Sequence, residues 1–161
     1  RGLSGPAVLQ ISSYWQTGQP IRLNLLPDTD LAAALLQAKL SSKKSLGNAL
    51  AAWLPSRLAD TWTAGQSDWQ KSLPDTPDKA LQRLAASLQT WSLTPSGTEG
   101  YAKAEVTLGG ISTDGLSQQT MEAKKMPGLF CIGEAVDVTG WLGGYNFQWA
   151  WASGVAAGEA V

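Results

Sequence analysis

Hydrophobic and polar positions fall into three regimes along the chain. From Ile21 to Leu25 they alternate, with Ile21, Leu23 and Leu25 set against Arg22 and Asn24, the period of a strand with one covered face. Lys103 to Leu108 repeats the alternation (Ala104, Val106 and Leu108 against Lys103, Glu105 and Thr107), and this segment is expected to pair near the first. Between them the period becomes helical. Leu31, Leu35 and Leu36 mark a helix capped by Asp28 or Thr29. Leu46, Ala49, Leu50, Trp53 and Leu54 follow the i, i+3, i+4, i+7, i+8 template until Pro55 ends that helix. Leu58, Ala59 and Trp62 predict a third helix, stopped around Gly65. A fourth starts at Asp75-Thr76-Pro77 and turns Leu81, Leu84, Ala85, Leu88 and Trp91 inward. Ahead of all this, Gly2-Leu3-Ser4-Gly5 is a loop entering a short helix. Ser4 or Gly5 is its cap, Pro6 stands near its first position, and Ala7, Val8, Ile11 and Tyr14-Trp15 supply its apolar face.

The last third reads differently. Leu129-Phe130-Cys131-Ile132 is a continuous apolar run between Pro127-Gly128 and Gly133-Glu134, the pattern of a short strand buried on both faces. Beyond it, Gly140-Trp141-Leu142-Gly143-Gly144-Tyr145-Asn146 leads into a helix that is apolar nearly all round: Phe147, Trp149, Ala150, Trp151, Val155 and Ala156. Such a helix is expected to be buried on most sides. Ala150, Gly154 and Gly158 form a stripe of small residues along it, suited to close packing on a strand. A strand, a carboxylate at its tip, paired glycines and a helix N-terminus together describe the ligand side of an open α/β sheet.

Three loops are candidates for binding. Glu134, at the tip of the apolar run beside Gly133, can accept hydrogen bonds from sugar or polyol hydroxyls, or serve only as a turn acid. Gly143-Gly144-Tyr145-Asn146 offers backbone amides and the positive end of a helix to a partial negative charge, or is a flexible loop with an Asn cap. Thr107-Leu108-Gly109-Gly110-Ile111 permits a second close backbone approach, or is a β-turn.

Composition removes several chemistries. The 161 residues contain no His, which excludes Ser-His-Asp and Cys-His catalysis and every His-containing zinc site. One cysteine, Cys131, leaves no internal disulfide and suits a reducing compartment or simple packing in the apolar run. A net charge of -1 gives no electrostatic footprint for nucleic acid or an anionic membrane. Eight Trp can build a stacking platform for bases or sugars, yet without a basic patch beside them core packing is the favoured role. No G-x-G-x-x-G, G-x-x-x-x-G-K-[ST] or G-x-S-x-G occurs, so the chain carries no phosphate cradle or nucleophile elbow of its own. The longest weakly polar stretch, Tyr145 to Ala157, is too short to span a bilayer, and a cytoplasmic protein is expected. The sequence begins with Arg1 in mid-motif and is expected to be a piece of a longer polypeptide.

Taken in order, Arg1-Gly2-Leu3-Ser4-Gly5-Pro6-Ala7-Val8-Leu9-Gln10, Ala104-Glu105-Val106-Thr107-Leu108-Gly109-Gly110, Met121-Glu122-Ala123-Lys124-Lys125, Gly128-Leu129-Phe130-Cys131-Ile132-Gly133-Glu134 and Gly143-Gly144-Tyr145-Asn146-Phe147-Gln148-Trp149-Ala150 resemble the bacterial YhiN/BaiN-type flavoproteins, NAD(P)/FAD-dependent oxidoreductases. The resemblance implies an α+β fold in four stretches: 1–27 and 92–110 from a small β-rich domain, 28–91 a helical insert domain, and 111–161 the C-terminal strand-loop-helix of a two-part FAD-binding α/β domain. It implies that Gly133 and Glu134 meet the ribityl or pyrophosphate region of FAD. Gly143, Gly144, Tyr145 and Asn146 would put amides at the flavin pyrimidine ring, where they favour reduced, anionic flavin. Thr107, Gly109 and Gly110 would line the isoalloxazine. No catalytic acid is singled out; Tyr145 is the nearest by position.

The implied partners are NAD(P)H, an unknown small-molecule acceptor and the N-terminal Rossmann half of the same protein, with neither nucleic acid nor membrane. Without that half, the chain alone is expected to bind FAD weakly or not at all. Its apolar run and last helix are expected to leave an open apolar surface, prone to self-association, strand swapping or disorder. The competing reading is a non-catalytic insert, a lid or a module that binds a protein partner.

Overall fold

The computed structural model describes residues 2–161; Arg1, the first residue of the opening motif, lies outside the described residues. The fold is α+β, with six α-helices and one two-stranded antiparallel sheet among the described residues. Two compact units divide it. One is Pro20–Pro95, and the other joins the residues up to Gln19 with Ser96–Val161.

In the unit Pro20–Pro95, β1 (Ile21–Leu23) pairs antiparallel with β2 (Trp91–Leu93), placing Ile21 opposite Leu93 and Leu23 opposite Trp91. The expected partner, Lys103 to Leu108, is not a strand; a 3-10 turn at Gly100–Ala102 precedes it and the rest is irregular. The helix before β2 explains the exchange. Thr90 leaves the helical region (φ -132°, ψ 35°), so Trp91 begins a strand instead of completing the helix. The Leu25 amide donates to the Leu88 carbonyl at 3.1 Å, which locks the helix end beside β1.

Helix α2 (Leu31–Lys39) is capped by Asp30, one or two residues beyond the expected caps, its carboxylate accepting from the Ala33 amide at 3.0 Å. Helix α3 (Leu46–Leu50) is capped by Ser45 and shorter than its periodicity suggested. Trp53 and Leu54 continue as a turn, both amides donating to the Leu50 carbonyl, so they keep the packing face without extending the helix. Helix α4 (Ser56–Ala64) starts after Pro55 and stops at Gly65, and α5 (Asp78–Gln89) starts after Pro77. Their apolar faces meet in one core in which Leu31, Leu35, Leu50, Leu81, Leu84 and Leu88 are wholly buried. The four Trp residues of this unit lie half-buried at its margin, and two have their polar ends used: Trp62 donates to Ser87 Oγ at 2.9 Å and Trp69 to the Ala80 carbonyl at 3.2 Å. Trp62 also meets Trp91 edge-on at 5.3 Å.

The other unit is held by less. Helix α1 (Pro6–Ser12) follows Gly5, whose φ of 106° suits glycine alone, and buries none of its residues, contrary to the apolar face read from its sequence. The run Leu129–Ile132 is reduced to a single bridge, Glu122 with Phe130. Only Cys131 of that run is buried, while Leu129 and Ile132 are 44% and 43% exposed. Helix α6 (Tyr145–Gly158) buries just Ser153 and Ala157, not most of its circumference. Apolar periodicity states what a segment can bury, and burial requires a neighbour on each side. Here the neighbours form one small core of Leu116, Met121, Cys131, Val136 and Ala157. Among the described residues, no helix is long and apolar enough to cross a membrane.

The difference between an inward and an outward leucine is testable. Leu84→Ala is expected to cost about 2–5 kcal/mol of stability, as for other fully buried leucines. Leu40→Ala, at a site 79% exposed, should change it by less than about 0.5 kcal/mol. Equal midpoint shifts for the two variants in urea titration would contradict this core.

Candidate functional site

The three loops singled out by sequence lie in the same unit, and helix α6 organises two of them. Gly133 takes a left-handed φ of 61° and opens a 3-10 turn, Gly133–Ala135. Its amide donates to Ser153 Oγ at 2.9 Å, and its carbonyl accepts Trp149 Nε1 at 3.0 Å. Trp149 and Ser153 stand four residues apart, hence on one face of α6. The Ser153 hydroxyl completes the arrangement by donating back to the Trp149 carbonyl at 2.8 Å. Of the small-residue stripe, Ala150 and Gly154 do face this segment; a Cβ on Gly133 would lie 3.8 Å from Ala150 Cβ, and one on Gly154 would lie 3.8 Å from Ile132 Cδ1. Gly158 meets nothing within 4 Å. Glu134, presented by this turn, is exposed.

The second loop is bonded to the first. Ile111 and Val136 form an isolated parallel bridge, with the Ile111 amide 2.8 Å from the Ala135 carbonyl and the Asp137 amide 2.9 Å from the Ile111 carbonyl. Gly110 sits where a side chain cannot. A Cβ there would lie 2.7 Å from the Ala135 oxygen, at a φ of 137°. The close approach inferred at this glycine is thus, in part, chain against chain. Gly109 (φ 86°) faces open space, and Thr107 is exposed beside it.

The third loop closes on itself. Asn146 Oδ1 accepts the Gly140 amide at 2.7 Å, and Asn146 Nδ2 donates to the Gly140 carbonyl at 3.2 Å, so one side chain clamps both backbone groups of Gly140. Gly143 and Gly144 take φ of 113° and 95°, both exposed, and α6 then starts with no side-chain cap. Its first amides therefore remain available, as helix geometry requires of an uncapped end. Two contacts tie the loop to α1's end of the chain: Leu142 N–H donates to Gln10 Oε1 at 2.9 Å, and Trp141 Nε1 to the Tyr14 hydroxyl at 3.2 Å. From Tyr145 to Ala150, beside Gly133, is roughly 8 Å along the helix axis.

Seven of the nine candidate residues sit on loops or turns, and Tyr145 and Asn146 open α6; α6 and the Ile111–Val136 bridge tie them into one unit. The side chains that hold those loops, Trp149, Ser153, Gln10 and Tyr14, were not among the candidates. Ser153 carried a signal, being a hydroxyl amid apolar helix positions; Gln10 and Tyr14 carried none, because their partners lie far away in sequence. The exposed, side-chain-free backbone at Gly143-Gly144 with an uncapped helix behind it fits a flat group with hydrogen-bond acceptors on its edge, as the pyrimidine ring of a flavin has.

Residues 1–106 match the family model described as HI0933-like protein barrel and H2TH domain. The chain belongs to this family. It is 54% identical over 166 aligned residues, 99% of its length, to the ribosomal RNA dihydrouridine synthase of Escherichia coli, strain K12. It is 44% identical over its whole length to the protein of the same name from Haemophilus influenzae. A shorter stretch of 69 residues, 43% of this chain and 17% of the relative, is 46% identical to the 3-dehydro-bile acid delta(4,6)-reductase of Clostridium scindens. The chain spans about 40% of the length of the two synthases.

The two adjacent glycines of the second loop should respond unequally to substitution. Gly110→Ala forces a methyl against the Ala135 carbonyl and is expected to destabilise this unit more than Gly109→Ala, which costs only the left-handed conformation, about 1–2 kcal/mol. Thermal melts of both variants decide it, and equal losses would refute the close approach.

Proposed function

We propose that this chain forms the flavin-ring end of a FAD-dependent oxidoreductase of the YhiN/BaiN type, which takes hydride from a nicotinamide and saturates the double bond of a uracil ring in RNA. The observation that carries the proposal is the similarity across 99% of the chain to a protein named as a ribosomal RNA dihydrouridine synthase. The shorter match to a named reductase supports the same general chemistry.

In this reading, the backbone at Gly143, Gly144, Tyr145 and Asn146 donates to the acceptor edge of the flavin ring, and Thr107 and Gly109 lie along its plane. Gly110 serves by letting the 107–111 loop close on Ala135. Gly133 and Glu134 face the ribityl or pyrophosphate portion, the carboxylate accepting from hydroxyls. Bound FAD supplies a two-electron carrier between nicotinamide and substrate. The loops contribute position and amide dipoles. Tyr145, 61% exposed at the N-terminus of α6, is the side chain best placed to meet substrate among the candidates.

The proposal sets aside the expectation of no nucleic-acid partner. Net charge is an average over the chain, and a base can be held by stacking and hydrogen bonds without a basic patch. A protein contact is part of the same reading: Phe147, Trp151 and Val155 follow one another at helical spacing, all exposed, and we assign this stripe of α6 to the Rossmann half of the same protein.

Protein spanning the full length of the relatives should be yellow, bleach on anaerobic addition of NADH or NADPH, and convert uridine to dihydrouridine in ribosomal RNA. Colourless protein would sink the flavin reading. Bleaching without dihydrouridine would keep the oxidoreductase and remove RNA as its substrate.

A further inference from the structure

We propose that Trp141 and Tyr14 form an aromatic shelf on which the target pyrimidine base stacks, a step that rests on the reading of RNA as substrate given above. Trp141 is 66% exposed and Tyr14 is 62% exposed. Tryptophan so open to water normally turns its N–H to solvent, yet here Nε1–H donates to the Tyr14 hydroxyl at 3.2 Å. The indole is therefore held in place with its one polar group already used, and its ring face is what remains to be covered. The Leu142 amide to Gln10 Oε1 bond, at 2.9 Å, fixes the backbone next to it. Preorganisation of this kind lowers the entropy lost when a flat ligand settles on the ring.

Position and charge point to a base as the occupant. Trp141 follows Gly140, which Asn146 clamps, and lies two residues before Gly143, so the shelf borders the loop assigned to the flavin edge. Residues 2–19 and 126–161, which supply the shelf and its surroundings in sequence, contain no Lys or Arg. A phosphate contact requires a cation or a directed amide, whereas a nucleobase offers a π face to an uncharged ring. The exposed stripe of α6 differs on this point. Phe147, Trp151 and Val155 have no such polar tie, as suits a packing surface.

The test uses flavin-loaded protein spanning the relatives' length, with fluorescently labelled oligouridylate as probe. Trp141→Ala is expected to weaken binding roughly tenfold or more, the usual consequence of removing one stacked base contact. Trp141→Phe should recover most of the loss, and Tyr14→Phe, which frees the indole, should cause a smaller one. Because stacking releases no counterions, the salt dependence of binding should have the same slope in Trp141→Ala as in the parent protein. An undiminished flavin absorbance in each variant shows that the cofactor site is intact. As a direct readout, RNA carrying 5-iodouridine should photo-crosslink to Trp141 or Tyr14. Equal affinity of Trp141→Ala and parent protein, or crosslinks that map elsewhere, would overturn the shelf while leaving the RNA reading in place. Parent protein that neither binds oligouridylate nor reduces uridine in RNA would overturn both.

Discussion

The unit that carries the candidate site depends on one pair of hydrogen bonds, from the Gly133 amide to Ser153 Oγ and from Trp149 Nε1 to the Gly133 carbonyl. They bond both backbone polar groups of Gly133, which has left regular structure, using two side chains on one face of α6. Without them the Gly133 amide, at the start of the 3-10 turn, would need water, while the Gly133 carbonyl would keep only the Val136 amide at 3.2 Å. Its neighbours, Cys131 and Val136, are two of the five buried residues of a small apolar core. Because the 107–111 loop bonds to Ala135 and Asp137, its position is inherited from that turn. A second clamp, Asn146 on Gly140, does the same for the loop before α6. Four polar atoms on one helix therefore hold most of the geometry of these loops.

The unit Pro20–Pro95 is stabilised by a different balance. Its leucines reach zero exposure in numbers, and its buried polar groups are few and paired: the Thr76 hydroxyl donates to the Ser72 carbonyl at 2.9 Å and that of Thr63 to the Ala59 carbonyl at 3.0 Å. Burial of aliphatic area dominates there, so the helices need little help from their caps. In the other unit apolar area is left open, and hydrogen bonds to loop backbone do a larger share of the ordering. Such an arrangement suits binding loops, which must present backbone to a ligand and still keep their shape.

What was legible in the sequence follows the same division. Leucine periodicity located α2 to α5 because each helix turns its apolar face into a core that the same stretch of chain completes. The glycine-rich loops could be recognised as loops for the reason that Gly133, Gly143 and Gly144 take φ values disfavoured in other residues. Strand pairing was not legible. The alternation of Lys103 to Leu108 is as regular as that of Ile21 to Leu25, and nothing local says that Trp91–Leu93 will be the partner. The pairing follows where α5 ends, at Thr90, and the Leu25–Leu88 hydrogen bond that holds this end beside β1. The ties from Gln10 and Tyr14 were illegible for a related reason, since contacts across more than a hundred residues leave no periodic trace.

The apolar run Leu129–Ile132 and helix α6 show what a hydrophobic pattern does and does not contain. The run was read as covered on both faces and the helix as buried on most sides, with an open apolar surface expected between them; both stand partly open, with Phe147 at 76% and Trp151 at 75% exposure. The pattern itself was not misread. Aromatic side chains at helical spacing on an otherwise uncharged helix would make a poor permanent surface in water, since each such ring in contact with protein gains of the order of 2 kcal/mol. A sequence records the coverage that a segment is built for, whereas the fold records the coverage that neighbouring segments supply. The stripe at Phe147, Trp151 and Val155 is the region in which those two records differ most. The shelf at Trp141 and Tyr14 stands apart from it because a hydrogen bond inside the unit has already oriented its ring.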